Sequence, residues 1–312
     1  MTTAVLVMAY GTPANRESVA AYYTDIRRGR PPSEDQLEEL LSRYDAIGGL
    51  SPMNERTAEQ IAALQTALDV IEPGRFRTYY GAKHADPKIE AAVAALADDG
   101  CDAVIGIVLA PHFSAMSVGE YVERAAKEAK ARGLRASFLE RWYDEPALID
   151  ALAPRVTAAL ESLTPAQAKG ATVVVTAHSL PARILETGDP YPDEIATTAR
   201  LIAERLRLDS WRTGWQSAGR TSEPWLGPDI GDVIDELATS GASAVVVCPA
   251  GFTSDHLEVL YDLDIVAAKR ADDAGIGFAR TASLNADPAV FAALATRLAS
   301  IDDEGRLESG TR

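Results

Sequence analysis

The chain has 312 residues, too many for one small core, so two domains of ordinary size are expected. Its 30 Lys and Arg against 46 Asp and Glu leave a net charge of −16, which argues against nucleic acid or an anionic membrane surface as main partner. No apolar run approaches the roughly 20 residues that span a bilayer, and no membrane anchor is expected.

Residues 4–10 form the first predicted strand. It is reached from an N-terminus without a basic region, so no signal peptide is expected and the cytoplasm is the expected compartment. Gly11-Thr12-Pro13 breaks it. Helical spacing follows over 18–27 and 33–44, and Ser33 ahead of Glu34 and Asp35 suits an N-cap. Arg27, Arg28 and Arg30, with Arg43 beyond, form the densest positive cluster. It is either a solvated patch or an anion site, since guanidinium forks suit carboxylates and phosphates. Residues 47–52 read as a loop, and 55–68 as an amphipathic helix with Ile61, Leu64 and Leu68 on its apolar side. Strands over 76–80, 103–110 and 135–139 then alternate with helices over 87–97 and 118–132. That alternation is the signature of a parallel sheet with helices on both faces.

A helix over 148–162 leads to residues 163–170, the best linker candidate. The expected domains are therefore 1–162 and 163–312, with the last helix expected to pack back on the first. The second half repeats the plan, with strands over 172–177, 212–216, 244–249 and 276–280. Its helices fall around 193–206, 229–240, 254–269 and 288–300, and the polar tail from Asp302 is expected to fray. The run from Val104 to Ser114 resembles that from Val245 to Thr253, and residues 4–13 parallel 172–181. The fold class is α/β: two similar Rossmann-like domains, each a parallel sheet flanked by helices, with a cleft expected between them. Cys101 and Cys248 read as buried small hydrophobes. Two cysteines cannot build a disulfide framework or a four-thiolate cluster.

The β-branched run Val173-Val174-Val175-Thr176-Ala177 reads as a strand buried on both faces, and it stops at His178-Ser179-Leu180-Pro181. Ligands of open α/β sheets sit at the carboxyl ends of strands. His178 is thus either a loop cap or a functional group at the mouth of a cleft. If 254–269 is helical, Asp255, Glu258 and Asp262 share one face. Such a stripe serves solvation or a cation, and an imidazole and a carboxylate together can hold Fe²⁺ or accept protons. No G-x-G-x-x-G, P-loop, H-E-x-x-H or G-x-S-x-G motif supports dinucleotide, nucleotide, zinc-protease or serine-hydrolase chemistry.

Nine stretches, in order, carry a family resemblance: Met8–Pro13, Tyr22–Arg30, Arg43-Tyr44, Ile47–Pro52, Ala177–Pro181, Gly188–Tyr191, Gly214–Ser217, Trp225–Pro228 and Asp255–Asp262. Together they resemble ferrochelatases over nearly the whole chain, above all the soluble Gram-positive form that inserts ferrous iron into coproporphyrin III in haem biosynthesis. The resemblance implies a two-domain chelatase fold of the class II type. His178 and Glu258 would bind Fe²⁺ and accept the pyrrole protons. Tyr10 would lie on the opposite porphyrin face, as axial ligand of the product iron. Arg27, Arg43, Tyr44, Ser51 and Tyr121 match positions that bind the macrocycle and its propionates, and Asp262 would extend an acidic metal path toward Glu258. His84 falls in a loop near the site.

The implied ligands are coproporphyrin III and Fe²⁺ as substrates, with no required cofactor and no iron–sulfur cluster. A haem-pathway enzyme would collect the product, and a monomer is expected. Rival readings are a protoporphyrin IX ferrochelatase, a cobalt or nickel chelatase for sirohydrochlorin, and a porphyrin or haem carrier without turnover. A periplasmic-type solute-binding protein shares the two-lobed outline but would want an export signal.

Overall fold

The computed structural model describes residues 2–219 and 221–310. Among these, eight strands form two four-stranded sheets. The chain divides into two units: Met1–Ala110, Ser117–Arg141 and Asn285–Arg312 in the first, Pro111–Met116 and Trp142–Leu284 in the second.

In the first unit, β1 (Thr3–Ala9) is buried along its whole length, as a sheet covered on both faces requires. Three helices follow, α1 (Val19–Ile26), α2 (Glu34–Ala46) and α3 (Met53–Ile71), before β2 (Phe76–Ala82). Then come α4 (Ile89–Asp98), β3 (Ala103–Val108), α5 (Val118–Ala131) and β4 (Arg135–Leu139). Ser33 does cap α2: its Oγ accepts from the Gln36 N–H while the Gln36 side chain accepts from the Ser33 N–H. The strands are all parallel, in the order β2-β1-β3-β4. At Gly106 of β3 a Cβ would meet the Phe138 ring of β4 at 2.4 Å, so no side chain fits there.

The second unit contains α6 (Pro146–Glu161), α7 (Pro165–Lys169), β5 (Ala171–His178), α8 (Tyr191–Leu206), β6 (Trp211–Gln216), α9 (Ile230–Thr239) and β7 (Ala244–Cys248). A π-helix over Glu258–Ala267 runs into α10 (Ala268–Asp273), and β8 (Gly277–Arg280) completes the sheet. Its order, β6-β5-β7-β8 and all parallel, repeats that of the first sheet strand for strand. Val174, Ile234, Val245, Val247, Val259 and Leu263 form part of its core. The last helix, α11 (Pro288–Gly310), packs on α3 in the first unit. No helix among the described residues is long and apolar enough to cross a membrane. Cys101 and Cys248 are buried and free.

The expected boundary at 162/163 falls elsewhere. Residues 163–170 are not a spacer: Thr164 caps α7 through a capping box with Gln167, and Ser243 Oγ donates to the Gln167 carbonyl at 2.8 Å. Helix α6 packs against α8, β7 and β8, because its buried side, including Leu148, Leu152 and Val156, completes the second unit. The start of the predicted tail also departs from expectation. Asp302 does not fray but is 4 % exposed, accepting from Thr3 Oγ1 at 3.0 Å and from Arg75 at 2.7 and 3.1 Å. A buried carboxylate satisfied by a guanidinium fork and a hydroxyl anchors the helix where a polar sequence suggested solvent. Residues 311 and 312 lie outside the described residues.

Candidate metal and porphyrin sites

The carboxyl end of the second sheet carries the residues expected to bind metal and take protons. His178 is the last residue of β5, half-buried, and pairs in register with Gln216 of β6. Its Nδ1 lies 2.5 Å from the Ser179 carbonyl oxygen. A carbonyl only accepts, so Nδ1 carries the proton and Nε2 keeps a lone pair for a metal or a proton. The Phe252 ring lies edge-on at 6.4 Å.

The loop after β7 reaches the same end because Gly251 lets it. A Cβ there would lie 2.4 Å from the Ala177 Cβ, and the Gly251 N–H donates to the Thr176 carbonyl at 3.0 Å. Beyond it, His256 is buried and its Nδ1 lies 2.8 Å from the Ser254 carbonyl oxygen. By the same argument Nδ1 carries a proton, and Nε2 lies 3.4 Å from Glu258 Oε2. A proton on Nε2 makes this contact an ion pair, and a cation can take the place of that proton between the two groups. The Glu258 side chain is 35 % exposed, so a ligand from solvent can reach it.

The acidic stripe is shorter than the sequence suggested. Asp255 precedes the helix, and its carboxylate accepts from Ser283 Oγ at 2.7 Å and from Arg280 at 3.5 Å. Glu258 and Asp262 remain together on the π-helix, a rare form that concentrates at functional sites. Its wider turn keeps Val259, Leu263 and Ala267, four apart, in the core. Gln216 and Ser217, which sequence reading left as motif residues without a role, hold this helix. Gln216 accepts from Thr176 Oγ1 at 2.8 Å and donates to the Glu258 carbonyl at 3.3 Å, so the register partner of His178 touches Glu258 directly. Ser217 donates to Asp262 Oδ2 at 2.5 Å from a backbone φ of 60°, a strained position for a non-glycine residue. A polar residue just past a strand end was the available signal. Among the described residues, no three His, Cys, Asp or Glu side chains gather into a metal cage.

In the first unit, Tyr10 follows β1 directly and is 37 % exposed. Gly11 next to it has φ 84°, and a Cβ there would meet Ala85 at 2.7 Å. The His84 N–H donates to the Tyr10 carbonyl at 3.0 Å, and the two rings lie 4.6 Å apart. Asp25 on α1 takes His84 Nδ1 at 2.7 Å and Lys88 Nζ at 2.9 Å. Partial burial raises the Asp25 carboxyl, but Lys88 and His84 outweigh it and hold it below the usual range. Tyr121 is buried, and its phenol is pushed well above the usual value by burial, then by Tyr10, Tyr80 and Glu120. It therefore stays protonated.

The other expected binding residues spread over three segments. Arg27 is half-buried, with its guanidinium 5.6 Å over the Tyr23 ring and its Nε donating to the Arg30 carbonyl at 3.2 Å. Arg43 pairs with Glu39 at 3.0 Å. Tyr44 is 2 % exposed, and buried Ser51 accepts from the Met53 N–H at 3.4 Å at the start of α3.

The family model described as ferrochelatase matches residues 2–300. The coproporphyrin III ferrochelatase of a Geobacillus species is 45% identical over 94% of this chain and 95% of its own length. That of Bacillus subtilis shows the same values, and the ferrochelatase of Herpetosiphon aurantiacus is 42% identical over 94% of this chain and 97% of its own. Among solved structures, SirB from Bacillus subtilis with Fe³⁺ superposes with a TM-score of 0.61 at 14% identity, covering 98% of each chain. CbiX, the terminal enzyme for siroheme biosynthesis in denitrifying bacteria, superposes at 0.53 and 16%, covering 95% of this chain and 98% of its own. At such identities the two show the fold alone, whereas the sequence matches run almost end to end. The chain belongs to the ferrochelatase family.

Proposed function

We propose that this chain inserts Fe²⁺ into coproporphyrin III, giving Fe-coproporphyrin and two protons in haem biosynthesis. The observation that carries the reading is the acceptor set of the second unit. His178 Nε2 and the His256–Glu258 pair are groups that can take a proton or a cation. Metal insertion supplies both, since two pyrrole N–H protons leave as a divalent ion enters. In this reading His178 and Glu258 bind the ion and take the protons, with Asp262 a secondary metal-binding group held by Ser217. Tyr10 is the axial ligand of the product iron on the opposite porphyrin face. Arg27, Arg43, Tyr44, Ser51 and Tyr121 bind the macrocycle and its carboxylates.

Two features support the substrate assignment: the coproporphyrin names of the relatives at 45% identity and the arginines that follow α1, with Arg43 on α2. The test is anaerobic mixing of the protein with Fe²⁺ and either coproporphyrin III or protoporphyrin IX, followed through the Soret and visible bands. Insertion into coproporphyrin at a higher kcat/KM, abolished in His178→Ala, is the expected result. Preference for protoporphyrin would move the substrate, and binding of both without metallation would make the protein a carrier.

A further inference from the structure

The direction of the His178 imidazole is set by backbone planes. The peptide joining His178 to Ser179 is held on both sides: the Ser179 N–H donates to the Gln216 carbonyl at 2.8 Å, and the Tyr191 hydroxyl donates to the His178 carbonyl at 3.0 Å. The following segment is fixed as well, with Ser179 Oγ donating to the Leu226 carbonyl and the Leu226 N–H to the Leu180 carbonyl, each at 2.8 Å. Ser179 supplies the carbonyl that receives His178 Nδ1–H, so any tilt of these planes turns Nε2.

Tyr191 is itself held from several sides. It is 6 % exposed, its ring lies 5.5 Å from Trp215, and it meets His112 edge-on at 6.4 Å. Burial keeps its phenol protonated, so it remains a donor. Its N–H donates to Asp189 Oδ1 at 3.0 Å, while Asp189 Oδ2 accepts from Ser114 Oγ at 2.9 Å and the Ala115 N–H at 2.8 Å. The segment Pro111–Met116, inserted in sequence between β3 and α5, thereby clamps the start of α8 within the second unit.

We propose that Tyr191 is a positioning residue for metal binding: its hydroxyl fixes the 178–179 peptide and thereby aims His178 Nε2 at the incoming ion. The proposal rests on the reading of His178 as an iron ligand. Partners that orient a metal-binding histidine are typically worth about 10–100-fold in metal affinity. Acting one peptide away from the ring, Tyr191 is expected at the lower end.

The test uses Co²⁺ alone, titrated into the ligand-free protein and read through its visible d–d bands, so neither porphyrin nor turnover is needed. Tyr191→Phe keeps the ring and removes the hydroxyl. The expected result is Co²⁺ binding about 10-fold weaker with shifted bands, while Ile195→Val, a packing change in the same apolar cluster, leaves both as in the wild type. His178→Ala should abolish the bands. If Tyr191→Phe matches Ile195→Val, the positioning role is overturned while His178 stands as a ligand. If His178→Ala still binds Co²⁺ as the wild type does, the ligand reading fails and the proposal falls with it. Near-UV circular dichroism checks folding. Should Tyr191→Phe not fold, Asp189→Asn, which loosens Tyr191 from behind, must weaken Co²⁺ binding, and unchanged binding there overturns the proposal.

Discussion

Tyr10 and His178 occupy equivalent places, each at the carboxyl end of the second strand in a sheet of the same order, yet their surroundings are built from different forces. Around Tyr10 the contacts are ion pairs at partly exposed positions: Asp25 with His84 and Lys88, Lys83 with Glu120, and Arg124 with Glu90. Around His178 they are hydrogen bonds among Ser179, Tyr191, Gln216 and Leu226, all buried. One scaffold thus carries a charged shell in the first unit and a largely neutral, tightly spaced one in the second. The charged shell should respond to salt and tolerate small changes. The neutral shell should ignore salt and punish added volume or a lost hydroxyl.

The largest contrast should come from volume. Gly251→Ala forces a Cβ to within 2.4 Å of the Ala177 Cβ, under the strand that ends at His178. A loss of about 1–3 kcal/mol is expected in denaturant unfolding, with no dependence on salt. A wild-type unfolding curve would mean that the loop after β7 is free to move away.

A second contrast lies in pH. His112, buried in the second unit with Nε2 on Thr198 Oγ1 at 2.9 Å, has its pKa lowered by burial from 6.5 to about 3. Between those values the unfolded chain binds the proton and the folded one does not. Stability is therefore full above about pH 6.5 and falls as pH drops through the window, by about 1.4 kcal/mol per pH unit from this group. His112→Gln should unfold less steeply with acid, and an unchanged slope would place the acid sensitivity elsewhere.

The smallest effect belongs to the charged shell. Asp25→Ala should cost less than about 1 kcal/mol at low ionic strength. The difference should shrink further in 1 M salt, where the screening length falls to roughly 3 Å. A loss that persists in high salt would make the first unit resemble the second.

Strands β1, β3, β5 and β7 were legible because their β-branched runs admit little else, while β4, Arg-Ala-Ser-Phe-Leu, matched its predicted range without one. Ser33 was legible because a cap is a local device. The π-helix was not. Leu257 through Ala267 has ordinary helical composition, and only the spacing of four at Val259, Leu263 and Ala267 hints at a wider turn. Starting the helix at 254 also put Asp255 on the acidic face, whereas Asp255 and His256 both precede the helix and His256 faces Glu258. Partners far apart in sequence were also invisible. Nothing local to Asp302 announces Arg75, and nothing local to Ser114 announces Asp189. Resemblance, rather than periodicity, singled out Tyr10, Tyr44 and Ser51.

The central claim is that the base set of the second unit takes up metal and protons while the shell around Tyr10 only supports. Anaerobic stopped-flow with Fe²⁺ and coproporphyrin III, comparing Glu258→Gln with Asp25→Ala, tests it most directly. Glu258→Gln should lower kcat by about 10²–10⁴-fold while porphyrin still binds, and Asp25→Ala should stay within about ten-fold of wild type, the span of 1.4 kcal/mol. Full insertion by Glu258→Gln, or an equal loss in Asp25→Ala, would contradict the account.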